Sequence, residues 1–208
     1  MRSFLPVAIC LLSVSLTLCS CLPPRHHIPP VHYYTLEYDP PEGQTNATVP
    51  AIIEVARFSI APDYATLRMV FKDGPYRRSE YAYHRWHADP ADLVTSFLRR
   101  DCNRSGVFLA VNDPGMVHAP THSISGSVDA FYERDKAATW EAVLELTVTL
   151  SKADEPDVSR RILLQRSYTS VRTCQTRTPE GVAQAMSLAM QEISRRIRSD
   201  VAAAILAE

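Results

Sequence analysis

Four of the seven histidines of this chain form two pairs whose spacing is compatible with metal chemistry. His84 with His87, and His118 with His122, could place two imidazoles on one helical face, as many zinc sites require. Both pairs fall at strand ends or in loops with no carboxylate cluster beside them, so we expect no metal site. The sequence also has no Gly-x-Ser-x-Gly, no phosphate-binding glycine loop and no His-Glu-x-x-His. We therefore expect no catalytic residue, no cofactor and no enzymatic activity.

Four pairs of consecutive arginines are candidates for binding phosphate or anionic lipid: Arg77–Arg78, Arg99–Arg100, Arg160–Arg161 and Arg195–Arg196. Scattered pairs of this kind usually belong to a solvated face, which is the interpretation we favour. Lys and Arg total 22 against 23 Asp and Glu. This balance gives no charge field typical of nucleic-acid binding, so we expect no nucleic-acid partner.

The densest aromatic group is Tyr81, Tyr83 and Trp86. Exposed aromatic side chains commonly supply most of the energy of a protein interface, so this group is our candidate partner surface. The alternative is that the three rings pack in the core.

One cysteine, Cys21, has a sequence context that indicates covalent modification. The uncharged run 4–18 has the length of a signal peptide and is too short to cross a membrane comfortably. It is followed by Cys19, Ser20 and Cys21, which with Leu18 resemble the lipobox of bacterial lipoproteins. Cys19 does not fit, because Leu18 stands where a small residue is needed. We predict a signal peptide over 1–20 and acyl chains on Cys21; the alternative is an ordinary secretory signal.

Residues 21–32 are predicted to form a tether between the acylated cysteine and a folded domain over 33–208. Four prolines lie between positions 22 and 32. Because proline fixes φ and removes a backbone donor, we expect an extended segment that spans roughly 30 Å at ~3.1 Å per residue. The resemblance to bacterial lipoproteins implies that Leu22, rather than Asp, after the acylated cysteine favours the outer membrane over the inner membrane.

Cys102 and Cys174 are the cysteines that remain once the signal peptide and Cys21 are assigned. Two thiols in an oxidising compartment make a candidate disulfide. The alternative, equally open from the sequence, is two buried free cysteines that pack as small hydrophobic residues.

Alternating apolar residues and turn signals predict a sheet. We predict strands over 33–38, 51–60, 107–111 and 160–171, and a hairpin joining Leu67–Phe71 to Arg78–Trp86 around Asp73–Gly74. A longer hairpin pairs 123–133 with a strand that begins at Trp140. That strand places Ala142, Leu144, Leu146, Val148 and Leu150 on one face. We therefore expect the sheet to have one buried face and one more solvent-exposed face.

Two helices are predicted to cover this sheet. The first runs over 90–103, with Asp89 as N-cap and Pro90 in the first turn. The second is opened by Thr178-Pro179-Glu180 and carries an apolar stripe to the C-terminus. The expected fold is α+β: a mainly antiparallel sheet covered by two helices, the longer one C-terminal.

The order of these features resembles one protein family. The lipobox, the Pro-rich tether, the strand at Tyr33–Leu36, the segment from Tyr83 to Pro90 before a helix, and the terminal amphipathic helix are similar to the ABC-type transport auxiliary lipoproteins. These are the PqiC-like partners of MCE-domain lipid transporters. The cysteines Cys102 and Cys174 are not assigned by the resemblance.

The resemblance implies a periplasmic lipoprotein that works beside an MCE-domain protein, an ABC permease and an ATPase in envelope lipid transport. Its expected role is tethering and assembly, with lipid contact as a further option, at the periplasmic side of the outer membrane. The alternative function is that of a structural or outer-membrane assembly lipoprotein outside any transporter.

Overall fold

The computed structural model describes residues 29–43, 48–112 and 118–208, and these residues form nine β-strands and three α-helices. The strands are β1 (His32–Tyr34), β2 (Val49–Val55), β3 (Ser59–Ile60), β4 (Arg68–Lys72), β5 (Arg78–Trp86), β6 (Phe108–Asn112), β7 (His122–Asp135), β8 (Trp140–Lys152) and β9 (Ile162–Thr173). The α-helices are α1 (Pro90–Arg104), α2 (Val158–Arg161) and α3 (Pro179–Leu206).

The nine strands form one mixed sheet, whereas the sequence predicted a mainly antiparallel one. Along one side β7 pairs in parallel with β2, β3 and β4 in turn. The pairs β1–β5 and β2–β6 are parallel as well. The antiparallel part consists of the β4–β5 hairpin and the β7–β8–β9 meander. The predicted α+β class is confirmed, but the prediction of a mainly antiparallel sheet is wrong. The strands that pair in parallel with β7 come from segments distant in sequence, so no local pattern indicated them.

The meander shows the predicted alternation. Ala142, Leu144, Leu146, Val148 and Leu150 are all buried on the face of β8 that α3 covers. On the opposite face Thr147 donates a hydrogen bond to Asp129 at 2.6 Å and lies 3.1 Å from the hydroxyl of Ser167. The sheet therefore has one buried face and one hydroxyl-rich face in this region.

The two long helices begin where the sequence predicted. Asp89 accepts the N–H of Ala91 at 2.9 Å at the start of α1, and Thr178 accepts the N–H of Gly181 at 3.1 Å at the start of α3. Both helices have proline in the first turn. The short helix α2, capped by Asp157, lies where the sequence predicted the beginning of a strand.

Two predicted strands are shorter in the structure because their chains turn into the helical layer. The strand expected over 33–38 ends at Tyr34; beyond it Leu36 and Tyr38 are buried, and the N–H of Glu37 donates to the hydroxyl of Ser187 on α3. The strand expected over 51–60 divides into β2 and β3, and between them Phe58 is fully buried.

The ring of Phe58 explains a glycine in β7. A β-carbon at Gly126 would lie 2.7 Å from the Phe58 ring, and its contact with the backbone oxygen of Thr147 would be closer still. Gly126 thus allows the ring to lie directly on the sheet backbone.

Candidate functional site

Trp86 does not belong to a partner surface, because it lies in the core. It is 2% exposed, and its ring meets that of Phe131 edge-on at a centroid distance of 5.0 Å. Phe131 pairs with Leu144 in the sheet, so this contact lies on the helix-covered face. The alternative weighed from the sequence, core packing, is the correct one for Trp86.

Tyr81 also points into the helix-covered side of the sheet. Its hydroxyl donates to Oε2 of Glu133 at 2.8 Å, and its ring lies 4.9 Å from that of Phe71. Burial, together with the acceptor Glu133, raises the pKa of Tyr81. The hydroxyl therefore stays protonated and acts as a hydrogen-bond donor.

The third member of the predicted group, Tyr83, is exposed. It is 39% accessible and lies two residues from Arg85, which pairs with Tyr33 of β1. Tyr33 is 57% accessible and projects to the same face, opposite the face of Trp86. The structure thus replaces the predicted group with two exposed rings, Tyr33 and Tyr83, which we call the tyrosine edge. The alternation of side-chain direction along His32–Tyr34 was the sequence signal that could have identified Tyr33 as an exposed residue.

The tyrosine edge lies beside a cluster of histidines that joins β1 to β5. His32 and His84 stack with centroids 5.4 Å apart, and the Tyr34 hydroxyl lies 3.0 Å from Nδ1 of His84. Burial and the neighbouring His32 lower the pKa of His84, which favours its neutral form. The second predicted pair, His118 and His122, is also not assembled on a helix: His122 is buried and contacts Glu208 at 3.0 Å. In the described part of the chain, no three histidine, cysteine or acidic side chains form a metal-binding group.

The candidate disulfide between Cys102 and Cys174 is not present in the structure. Both thiols are free and buried. Cys102 lies near Arg198 of α3, whereas the backbone N–H of Cys174 bonds the carbonyl of Trp140 at the end of the long hairpin. Burial raises the pKa of Cys102 to about 12 and that of Cys174 to about 11, so both thiols are protonated and weakly nucleophilic at neutral pH.

The consecutive arginine pairs separate once they are placed on the fold. Arg77 pairs with Asp73, Arg100 lies over Tyr38 and bonds Asp101, and Arg160 pairs with Asp157. In the fourth pair Arg196 lies over the ring of Tyr168, whereas Arg195 lines a groove with Arg198. This groove lies along α3.

The groove has a volume of about 430 Å³ and follows the outward face of α3. One wall is the segment from Asp39 to Pro41, which follows β1 and crosses the helix. Arg172 of β9 and Asp101 of α1 complete the polar lining. The groove could not be predicted from sequence, because its walls come from four separate elements.

The family model for the ABC-type transport auxiliary lipoprotein component matches residues 34–198. The chain belongs to this family. The match extends from the last residue of β1 through β9 and along α3 as far as Arg198, so the predicted resemblance is confirmed. The family description associates this auxiliary lipoprotein with an ABC transport system.

Solved structures share the fold of this auxiliary lipoprotein. Protein XCC0632 from Xanthomonas campestris, a DUF330 protein, is 17% identical, with a TM-score of 0.74 over 84% of this chain and 96% of that one. The hypothetical protein CT253 from Chlamydia trachomatis is 7% identical, with a TM-score of 0.53 over 76% of this chain and 99% of that one. At these identities the likeness concerns the fold alone. No curated protein matches the chain.

The predicted anchor lies outside the described residues. The signal peptide over 1–20, the acylated Cys21, most of the tether and the turn at Asp113–Gly115 all fall there. Among the described helices of this auxiliary lipoprotein, none is both long and apolar enough to span a membrane.

Proposed function

We propose that this protein is a periplasmic lipoprotein component of an ABC- and MCE-type envelope lipid transport system, in which it acts in tethering and assembly. The observation that carries the proposal is the family match over 34–198, which includes strands β2 to β9 and α3 as far as Arg198. The lipobox ending at Cys21 supports it independently, because an acylated thiol gives the domain a place at a membrane.

The proposed anchor and tether have physical properties suited to that role. Each buried acyl methylene contributes about 0.8 kcal/mol, so two or more chains on Cys21 hold the protein at the outer membrane stably. An extended tether of roughly 30 Å keeps a partner that binds the domain at a high local concentration near that membrane. The protein itself need not catalyse a reaction, and we propose no hydrolase activity for it.

The tyrosine edge is the surface that we assign to the partner. Tyr33 and Tyr83 are 57% and 39% exposed, and β1 forms one end of the hydrogen-bonded strand order. Tyrosine supplies large, rigid contact area and a polar hydroxyl, which suits an interface that must also be soluble before binding.

Capture of an MCE-domain protein tests both the function and the surface. The tagged full-length protein, extracted in a mild detergent, should co-purify the MCE-domain protein of the same cells. The double variant Tyr33→Ala/Tyr83→Ala should reduce this capture at least about tenfold, since buried aromatic anchors contribute about 2 kcal/mol or more each. Leu109→Ala is the matched control, because Leu109 is 65% exposed on β6 at the other end of the strand order.

The outcomes separate the two parts of the proposal. Equal capture by the double variant and the wild type would contradict the assignment of the tyrosine edge as the partner surface, but not the proposed transport function. Failure of the wild type to capture any MCE-domain protein, with no permease or ATPase gene beside its own, would favour the alternative of an assembly lipoprotein outside any transporter.

The anchor is tested by Cys21→Ala. Because Cys21 is the only residue that we assign to acylation, the variant should lose processing at position 21 and should no longer fractionate as a mature acylated membrane protein. Membrane fractionation with and without globomycin measures both properties, and Cys102→Ala is the matched control. A Cys21→Ala protein that is processed and membrane-bound like the wild type would contradict the lipoprotein assignment.

A further inference from the structure

We propose that the groove on the outward face of α3 binds a phosphate-bearing anion through Arg195 and Arg198. This site is separate from the tyrosine edge, and the proposal does not depend on the partner proposed above, because it concerns binding to the protein alone. Its basis is the charge distribution in the groove, the position of the two arginines on one helical face and the shape of the walls.

The acids that line the inner groove are already neutralised by other partners. Asp101 is 1% exposed; it accepts the Tyr38 hydroxyl at 2.8 Å and is paired with Arg100 at 2.9 Å. Glu192 accepts the Ser170 hydroxyl at 2.6 Å and pairs with Arg172 at 2.8 Å. Neither carboxylate is therefore left to balance a further cation.

Arg195 and Arg198 have no such compensation. Neither has an ion pair or a side-chain hydrogen bond among the residues that the structure describes, and Nε of Arg198 is buried without an acceptor. The two residues are three positions apart on α3, so their side chains lie next to each other on the helix surface. Adjacent like charges cost free energy, and an anion bound between the two guanidinium groups would offset that cost.

The chemistry of the lining favours phosphate over a simple halide. Two guanidinium groups offer paired N–H donors that match the oxygens of a phosphate. Leu188, which is 48% exposed, and the prolines 40 and 41 give the same groove an apolar side. A volume of about 430 Å³ accommodates a phosphodiester together with its adjoining glycerol carbons.

One group in the groove opposes anion binding. Asp39 is exposed at the wall and has no hydrogen bond or ion pair to another described side chain. Its carboxylate would repel a phosphate by the same electrostatics through which the arginines attract it. This makes Asp39 a useful position for a substitution that should strengthen binding.

The experiment is a calorimetric titration of the full-length protein in a neutral sugar detergent. The probes are dihexanoyl phosphatidylglycerol, below its micelle concentration, and inorganic phosphate. We expect the wild type to bind at least one of them. Arg195→Ala/Arg198→Ala should weaken the binding at least tenfold, and Asp39→Asn should strengthen it severalfold. Arg160→Ala/Arg161→Ala removes the same charge from α2 and should leave the affinity unchanged.

The two probes distinguish the source of the anion. Binding of the short-chain lipid but not of inorganic phosphate assigns the groove to a lipid headgroup, and equal binding of both assigns it to phosphate itself. The proposal is overturned if neither probe binds, or if the Arg195/Arg198 and Arg160/Arg161 variants lose affinity equally. Because Asp39→Asn changes an exposed loop residue, its effect is informative even if the double arginine variant fails to fold.

Discussion

Replacing Trp86 with alanine should lower the free energy of unfolding by about 3–5 kcal/mol, the usual cost of removing a large aromatic side chain from a core. The side chain is 2% exposed and meets Phe131 edge-on at 5.0 Å. Its removal leaves a cavity between β5 and β7 that the surrounding strands cannot fully close, because their backbones are held in the sheet.

Tyr83→Ala provides the comparison within the same strand. Tyr83 is 39% exposed on the opposite face, so its loss should cost less than about 1 kcal/mol. Urea unfolding of both variants followed by circular dichroism measures the difference. Equal destabilisation by the two substitutions, or a Trp86→Ala protein as stable as the wild type, would show that Trp86 is not a core residue.

The helices and the long meander were predictable because their signals are local. The Asp89 and Thr178 caps, each followed by proline, specify the beginnings of α1 and α3 within a few residues. The alternation in β8 survives unchanged because both neighbours of that strand are antiparallel and adjacent in sequence. Such patterns depend on the chain's own periodicity and not on distant partners.

The positions of Tyr81, Tyr83 and Trp86 relative to the core were predicted less well, because the pairing of β5 with β4 contains an irregularity. Arg68 pairs with Arg85 and Val70 pairs with Glu80, so two steps along β4 correspond to five along β5. This bulge changes which side chains face the helices: Tyr81 and Trp86 point inward, whereas Tyr83 points outward. Simple alternation would have placed Tyr81 and Tyr83 on the same face.

The parallel pairings and the groove depend on contacts that no local pattern encodes. The groove joins Asp39, Arg172 and Arg195, which lie on three different elements. In the sequence Arg195 belongs with Arg196, yet the helix directs Arg196 towards Tyr168 and Arg195 towards Arg198. The pattern of consecutive arginines, for which we favoured a solvated face, therefore did not predict that Arg195 and Arg198 line one groove.

Glu133→Gln should make the protein more stable at pH 8 and remove part of the pH dependence of its stability. Glu133 is 1% exposed; one carboxyl oxygen accepts the Tyr81 hydroxyl, and the other has no partner in the described structure. Burial is the main cause that raises the pKa of Glu133 from 4.5 to about 7. The native protein therefore favours the neutral carboxyl, which a glutamine side chain resembles in size and charge.

The direction of the pH effect follows from proton linkage. Below about pH 4.5 Glu133 is protonated in both states, so its ionisation has no effect on stability. Between about pH 4.5 and 7 the native state binds more protons than the unfolded state, so the free energy of unfolding falls as the pH rises. The loss is complete above pH 7 and amounts to about 3 kcal/mol, from the difference between the two pKa values.

Unfolding of the wild type and of Glu133→Gln, measured in urea from pH 4.5 to 8.5, isolates this contribution. The stability of the variant relative to that of the wild type should rise through the interval from pH 4.5 to 7 and then level off. Glu141→Gln is the matched control with the opposite sign: hydrogen bonds from Lys136 and Arg134 lower the pKa of Glu141, so its replacement should destabilise the protein at neutral pH. A difference between Glu133→Gln and the wild type that stays constant with pH, or a variant that is less stable at pH 8, would show that Glu133 is ionised in the folded protein at its ordinary pKa.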